Sequence, residues 1–298
     1  YVMSNTGIIE KDLSLRVGLN RFNYGVEAYY AYYNTEIGIL RSSHAHSAGD
    51  QIRSINSNIP LVVRGFTYDI NYPKQNVTHQ LTRFKGFKKF SVNAKLNFQY
   101  DFQKNRRFEY DIRIGNDRDK PALDLELKTH TIILDYVTNY ESLNFKTGIM
   151  GRYQENFPDP DTGVRRLIPD YEKYDLGIYS VADYKLNENW QFEAGIRFDY
   201  IYMDVYKFYK KTFWEERGYD ILFSDLVVDD IGFQVLTNPE LEFSNFSGTA
   251  GFKHKLSEKS ELFVNHSIAS RAPNASELFS DGLHHSIARI EIGDLRFK

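Results

Sequence analysis

Residues 90–102 read FSVNAKLNFQYDF, and apolar and polar residues alternate without exception along this run. Successive side chains of a β-strand point to opposite faces of a sheet, so the run predicts a strand with one apolar and one polar face. A helix would distribute the same residues around its circumference. The apolar positions are Phe90, Val92, Ala94, Leu96, Phe98, Tyr100 and Phe102.

The same alternation recurs elsewhere in the chain. Residues 190–202 repeat it, residues 13–20 repeat it more briefly, and residues 246–256 follow it with His254 on the apolar side. Residues 125–137 alternate poorly and are interpreted as a strand mainly from their neighbours. The patterns predict ten strands, at 13–20, 25–34, 76–84, 90–102, 125–137, 145–154, 174–186, 190–207, 241–256 and 261–270.

Short and long connections alternate between these strands. A soluble β-sandwich is the alternative fold, but it rarely needs strands this long or long connections on one side only. A barrel of the outer-membrane type needs both, with short periplasmic turns and long outer loops. The sequence therefore predicts an all-β fold that forms part of a transmembrane antiparallel β-barrel. Predicted periplasmic turns lie at 21–24, 85–89, 187–189 and 257–260, and predicted extracellular segments at 35–75, 103–124, 155–173, 208–240 and 271–298.

Composition narrows the functional classes. The chain has 298 residues, 42% of them hydrophobic and 26% charged, with a net charge of −3. This excludes a disordered tail and gives no general attraction to nucleic acid. Cysteine is absent, which excludes a disulfide framework, a zinc–thiolate site and a cysteine nucleophile. Aromatic residues reach 15%, and at strand ends they would form the interfacial girdles of a membrane barrel.

Several segments resemble one known family. Residues 271–285 read RAPNASELFSDGLHH and are similar to a late barrel segment of TonB-dependent outer-membrane receptors. Three earlier stretches, FTYDINYPKQNVTH (Phe66–His79), GNDRDKPALDLELKTH (Gly115–His130) and FPDPDTGVRRLIPDYEKYDLGIY (Phe157–Tyr179), resemble an iron-type subgroup of that family. The resemblance runs over nearly the whole chain.

This resemblance implies a 22-stranded barrel closed by an N-terminal plug, in the outer membrane of a Gram-negative bacterium. Residues 1–298 would then be a single partial barrel domain, without the plug and the remaining strands. The implied function is active import of a scarce metal chelate, a ferric siderophore first, with haem or cobalamin as alternatives. The implied partners are the TonB energy-transducing complex, reached through the plug, the metal-chelate ligand, and membrane lipid and lipopolysaccharide. The chain is expected to be no enzyme and to hold no cofactor or metal of its own.

Two sets of residues are candidates for the transport site. In the outer loops, residues of the family-like element could bind an anionic substrate, or could simply fold a compact loop at the barrel rim. On the polar face of the strands, other residues would line the lumen. The substrate-binding candidates are Arg271, Asn274, Glu277, Asp281, His284, His285 and Arg289; the lumen candidates are Lys95, Gln99, Glu193, Arg197 and Asp199.

Other readings of the polar residues remain open. The pairs His44/His46 and His284/His285, with His79 and His130 near strand starts, could ligate iron or haem, although hydrogen bonding within loops is the simpler interpretation. Asp159 and Asp161 do not match the EF-hand pattern and favour a rigid turn over calcium. The pairs Arg106/Arg107 and Arg165/Arg166 could contact lipopolysaccharide or line the lumen. Two other functional classes are a barrel protease that uses Asp281 and His284, and a passive porin.

Overall fold

The computed structural model describes residues 3–40, 48–59, 63–284 and 289–297. Ten long strands run through these residues, and they confirm the predicted all-β fold. The long strands are β1 (Ile8–Asn20), β2 (Tyr24–Gly38), β3 (Lys74–Lys89), β4 (Ala94–Tyr110), β5 (Leu123–Asn139), β6 (Leu143–Pro158), β7 (Asp170–Lys185), β8 (Trp190–Lys210), β11 (Glu240–Ser257) and β12 (Ser260–Ile268). The connections contain the short strands β9 (Val227–Asp230), β10 (Gln234–Thr237), β13 (Asp281–His284) and β14 (Arg289–Ile292), and the helices α1 (Ala48–Asn56), α2 (Lys211–Glu216), α3 (Tyr219–Leu222) and α4 (Ala275–Phe279).

Each of the ten predicted strands corresponds to a long strand, but one predicted start was wrong. The turn predicted at 85–89 belongs to β3, which continues to Lys89, and the turn lies at 90–93 instead. Phe90 and Val92 are therefore exposed turn residues and not part of the apolar strand face. Alternation alone cannot separate a strand from a turn of the same composition.

The long strands form an antiparallel sheet in which each pairs with its neighbours in the chain, in the order β1 to β8, then β11 and β12. Strand β8 has two partners on one side, because residues 190–204 pair with β11 and residues 207–210 pair with β10. Within the described strands, β1 and β12 each pair on one side only, so the sheet is open. None of the helices in these residues is long and apolar enough to cross a membrane.

One face of the sheet is apolar and uncovered. Ile196 is 59% exposed and Leu176 is 60% exposed, although both lie in the middle of long strands. This apolar band ends in a row of aromatic rings on five adjacent strands, with ring centroids 4.7–6.2 Å apart. The row consists of Phe102, His130, Tyr153, Tyr174 and Tyr202, and the next residues on the same face toward the long connections are Lys104, Lys128, Glu155, Glu172 and Asp204. Such a sharp change from apolar to aromatic to charged is typical of a membrane-facing surface.

The hydrophobic core lies on the opposite, polar face of the sheet, at the end with the long connections. There Met203 and Val205 of β8 are completely buried. They belong to one apolar cluster with Trp214 of α2, Tyr219 of α3 and Phe279 of α4. The connection after β8 and the segment after β12 therefore fold over the polar face, and we call this unit (residues 211–239, 271–284 and 289–297) the loop assembly.

Candidate functional site

Three candidate residues of the family-like element bind one another. Asn274 caps α4, because its side-chain oxygen accepts the backbone N–H of Glu277 at 2.9 Å while the Glu277 carboxylate accepts the N–H of Asn274 at 2.8 Å. Both terminal nitrogens of Arg271 donate to the same carboxylate, at 2.7 and 2.8 Å. These hydrogen bonds, that of Arg271 first, lower the pKa of Glu277 to about 2. The polar groups of all three residues are thus engaged in fixing the start of the helix.

The helix itself is held against the sheet by its apolar side. Leu278 and Phe279 are buried in the same apolar cluster as Met203 and Val205 of β8. A Cβ at Gly293 would lie 2.5 Å from the backbone of Leu278 and Phe279, so only glycine permits this close crossing. The sequence element therefore builds a rigid anchor.

Asp281 joins three separate parts of the chain. Its carboxylate accepts a hydrogen bond from Arg165, in the β6–β7 connection, at 2.6 Å, and lies 3.8 Å from the ammonium of Lys207 on β8. Its backbone N–H donates to the carbonyl of Leu167 at 3.1 Å. Asp281 and Lys207 are both almost fully buried, so their opposite charges face each other away from solvent at this end of the sheet.

Asp294 joins the two halves of the loop assembly and was not singled out from the sequence. It accepts the hydroxyl of Tyr219 at 2.8 Å and the guanidinium of Arg217 at 3.2 Å, and it also pairs with Arg296. Arg296 holds the pKa of the Asp294 carboxyl well below its usual range, while burial and Asp294 raise the pKa of Tyr219. No local motif marks Asp294, because its partners on the α2–α3 side are 75 and 77 residues away.

A basic cavity of about 340 Å³ lies beside the last residues of β8. Arg165 and Arg166 were singled out from the sequence, but not Lys207 and Lys210, which line the same cavity. Asp281 pairs with Arg165 and Lys207, and Asp170 pairs with Arg166. Two carboxylates therefore face four cations, which leaves an excess of positive charge. The cavity is lined by Val164, Arg165, Arg166, Pro169, Tyr206, Lys207, Phe208, Lys210 and Gln234.

The five lumen candidates lie on the polar face of the sheet. Arg197 donates twice to Asp199, at 2.7 and 2.5 Å, and Gln99 donates to Asp101 at 2.6 Å. Glu193 accepts a hydrogen bond from Asn265 on β12. Lys95 lies with its ammonium 5.7 Å from the centre of the Phe87 ring.

Around Arg197 the polar side chains lie flat against the sheet. The ring of Tyr179 has the Arg197 guanidinium and the Lys146 ammonium each 5.5 Å from its centre, and its hydroxyl donates to Asp135. Glycine makes this possible, since a Cβ at Gly148 would lie 2.6 Å from a carboxylate oxygen of Asp135. The result is a polar wall whose charges are paired along its surface and leave the space in front of it open.

The structure does not assemble a metal centre from the described side chains, in which no three His, Asp or Glu groups converge. His79 and His130 lie on opposite faces of the sheet, and His130 pairs with the Tyr100 hydroxyl at 2.8 Å. Asp159 accepts the N–H of Asp161 at 2.8 Å in a tight turn, in agreement with the rigid-turn interpretation. His44, His46 and His285, with the side chains of His284 and Arg289, lie outside the described residues.

Comparison with solved structures shows the fold. The closed form of the ferric-catecholate import receptor Fiu from E. coli K12 matches with a TM-score of 0.63 and 13% identity, over 95% of this chain and 46% of that chain. The copper transporter OprC matches with a TM-score of 0.59 and 12% identity, over 93% and 38%. The hemophore receptor HasR of Serratia marcescens, solved with its hemophore HasA and heme, matches with a TM-score of 0.56 and 12% identity, over 93% and 38%.

The chain thus spans less than half the length of these solved relatives. No curated protein sequence matches it. The family model described as TonB dependent receptor-like, beta-barrel matches residues 9–297, nearly the whole chain. Together with the long meandering strands and the loop assembly folded over their polar face, this match shows that the chain belongs to the family of TonB-dependent receptors, as part of the β-barrel.

Proposed function

We propose that the protein containing this chain is an outer-membrane transporter that imports a metal chelate, a ferric siderophore first, with energy supplied through the TonB system. In this proposal residues 1–298 form one partial barrel domain, and a plug and further strands complete the protein. The apolar band faces lipid and, at its outer edge, lipopolysaccharide. Transport and not catalysis is proposed because the solved relatives are import receptors and transporters.

The observation that carries the proposal is the position of the loop assembly. It is packed on the polar face of the sheet at one end only, against Met203 and Val205, while the rest of that face is a polar wall. A receptor needs this combination of a shaped outer entrance and a polar path behind it. A passive pore would need the path alone.

The charge at the entrance supports an anionic chelate as the substrate. The basic cavity carries four cations, and the carboxylates that pair with them in the described residues number only two, Asp281 with Arg165 and Lys207, and Asp170 with Arg166. Guanidinium groups match the oxygens of carboxylate and catecholate chelators. Relatives of similar fold include a ferric citrate transporter and a ferric-catecholate receptor, which bind such anions.

Uptake of radioactive iron by cells that carry the full-length protein tests the proposal. We expect ⁵⁵Fe delivered as an anionic siderophore to enter only when both this protein and TonB are present. The double variant Arg166→Gln/Lys210→Gln should reduce uptake about tenfold, as expected for losing two charged contacts. Lys120→Gln is the matched control, because Lys120 pairs only with exposed Asp117 in another outer loop.

Uptake that persists without TonB would contradict an energised receptor. Import of haem, and of no ferric siderophore, would retain the transporter but replace its substrate, an outcome that the similarity to the hemophore receptor makes worth measuring in parallel.

A further inference from the structure

At the end of the sheet with the short turns, two neighbouring turns expose apolar side chains. The β1–β2 turn (21–23) and the β3–β4 turn (90–93) lie side by side, since the backbone N–H of Lys89 donates to the carbonyl of Asn23 at 2.7 Å. Phe22 is 77% exposed and Phe90 is 64% exposed. Nothing within the described chain covers either ring, so both project from the end of the barrel wall.

Cations lie beside Phe22 and the neighbouring Tyr24. The ammonium of Lys88 lies 5.9 Å from the centre of the Tyr24 ring. Lys89 ends β3 opposite Lys95, on the polar side, and its ammonium lies 4.8 Å from the centre of the Phe22 ring at the turn. Tyr24 and Lys88 are paired across β2 and β3 on the apolar face of the sheet, where the band of apolar residues ends. Arg21 stands next to Phe22 in the chain. Among the described residues no carboxylate forms a salt bridge with Arg21, Lys88 or Lys89.

Among the described short turns, only this corner carries lysine and arginine without a carboxylate. The other short turns carry Glu141, Glu188 and Glu258, and Lys255 is paired with Glu258 at 2.9 Å. On the same apolar face, the position near the β7–β8 turn is held by Trp190, which stacks on His254 at 3.9 Å with no lysine or arginine beside it. The corner formed by β1 to β4 therefore differs from the remaining described turns in its net positive charge.

We propose that this corner, made of Arg21, Phe22, Tyr24, Lys88, Lys89 and Phe90, binds the headgroups of anionic phospholipids in the membrane leaflet at the short-turn end. The inference rests on the proposed placement of the barrel in a membrane. Aromatic rings at the end of an apolar band enter the boundary between headgroups and acyl chains. Lysine and arginine side chains extend from the same boundary to the lipid phosphates. A phosphate attracts a cation more strongly when no protein carboxylate already neutralises it.

Lipid retention by the full-length protein tests this inference. The protein is placed in nanodiscs of phosphatidylethanolamine with a minor fraction of phosphatidylglycerol, and the lipids that remain bound are counted by native mass spectrometry. We expect the triple variant Arg21→Gln/Lys88→Gln/Lys89→Gln to bind phosphatidylglycerol about tenfold more weakly than the parent, with the difference shrinking at high salt. The control Lys185→Gln/Lys255→Gln/Lys259→Gln removes the same charge at the other short turns and should retain the lipid.

Two outcomes would overturn the inference. One is equal retention of phosphatidylglycerol by parent and corner variant, or equal loss from corner variant and control. The other is unchanged lipid binding with loss of an acidic protein that copurifies with the parent. Heat-modifiable mobility on a gel shows that each variant is folded. Iron uptake by the corner variant separates this inference from the proposed function. Loss of lipid binding with normal uptake concerns the lipid site alone, and loss of uptake with normal lipid binding concerns the transport proposal alone.

Discussion

At the scale of single residues, Glu277 makes the stability of the start of α4 depend on pH. Its pKa is lowered from 4.5 to about 2 by Arg271 and by the N–H of Asn274. A carboxyl whose pKa is lower in the folded protein stabilises the fold fully above the unfolded value, and that contribution is lost as the pH falls through the folded value. The relevant window therefore runs from pH 4.5 down to about 2.

We expect the segment around α4 to lose protection from pepsin within that window, when cleavage is normalised to an unfolded substrate. Glu277→Gln should be more susceptible than the parent at pH 4.5, and its susceptibility should change little on further acidification. Ser276→Ala, on the same helix, is the control, since Ser276 bonds only the Asn274 side chain through its hydroxyl. A parent whose protection is constant down to pH 2 would contradict this role for Glu277.

At the scale of the elements, two glycines of β6 lie on opposite faces of the sheet. Gly148 is on the polar face, where side chains lie close to it, and Gly151 is on the uncovered apolar face. A Cβ at Gly148 would meet Asp135 and Tyr179 at 2.6–2.8 Å, whereas a Cβ at Gly151 meets nothing within 4 Å. Gly148→Ala should therefore push Tyr179 away from Asp135 and lower the free energy of unfolding by about 1–3 kcal/mol, the cost of losing a hydrogen bond to a charged group. Gly151→Ala should cost much less, and equal costs in urea unfolding would show that the polar wall is not packed as described.

The two faces of β8 give a second prediction at this scale. Ile196 lies on the uncovered apolar face, and Gln191 lies on the polar face. If the apolar face meets lipid, Ile196→Arg should cost about 2–4 kcal/mol in unfolding from lipid vesicles, while Gln191→Arg should cost little. Equal tolerance of both arginines would reverse or remove the assignment of the faces.

The strands could be predicted from sequence because they follow local patterns, whereas contacts between distant segments could not. Alternation, with the position of neighbouring strands for 125–137, predicted the ten long strands. Its one clear error came from Phe90 and Val92, which continue the pattern into a turn. A compact loop after residue 271 was one of the expectations, but its packing against the connection after β8 was missed. Apolar residues on both faces between 201 and 205 were a signal that the polar face is covered there. The pattern Asn274-x-x-Glu277 could have been read as a helix cap. Arg165 and Asp281 could not be paired from sequence, because 116 residues separate them.

At the scale of the whole molecule, the open sheet sets a limit on what the chain can do alone. In the described structure β1 and β12 each offer one unpaired edge. Lipid cannot hydrogen-bond exposed backbone groups, so such edges are not stable inside a membrane. We expect residues 1–298 expressed alone to be extracted from membranes by urea and to lack heat-modifiable mobility, whereas the full-length protein shows both resistance and mobility. Stable insertion of the isolated chain would mean that it closes by itself.

The length of strand β8 determines how the loop assembly would respond to force. It extends beyond the end of β11, and the loop assembly is attached to this extension through β10 and α2. A pull on the loops along the strand would load the hydrogen bonds between β8 and its neighbours in shear, many at once, whereas a pull across it would open them one after another. Force applied to the entrance would thus be resisted along the barrel axis and yield sideways, so that the entrance would tilt before the wall beneath it separates.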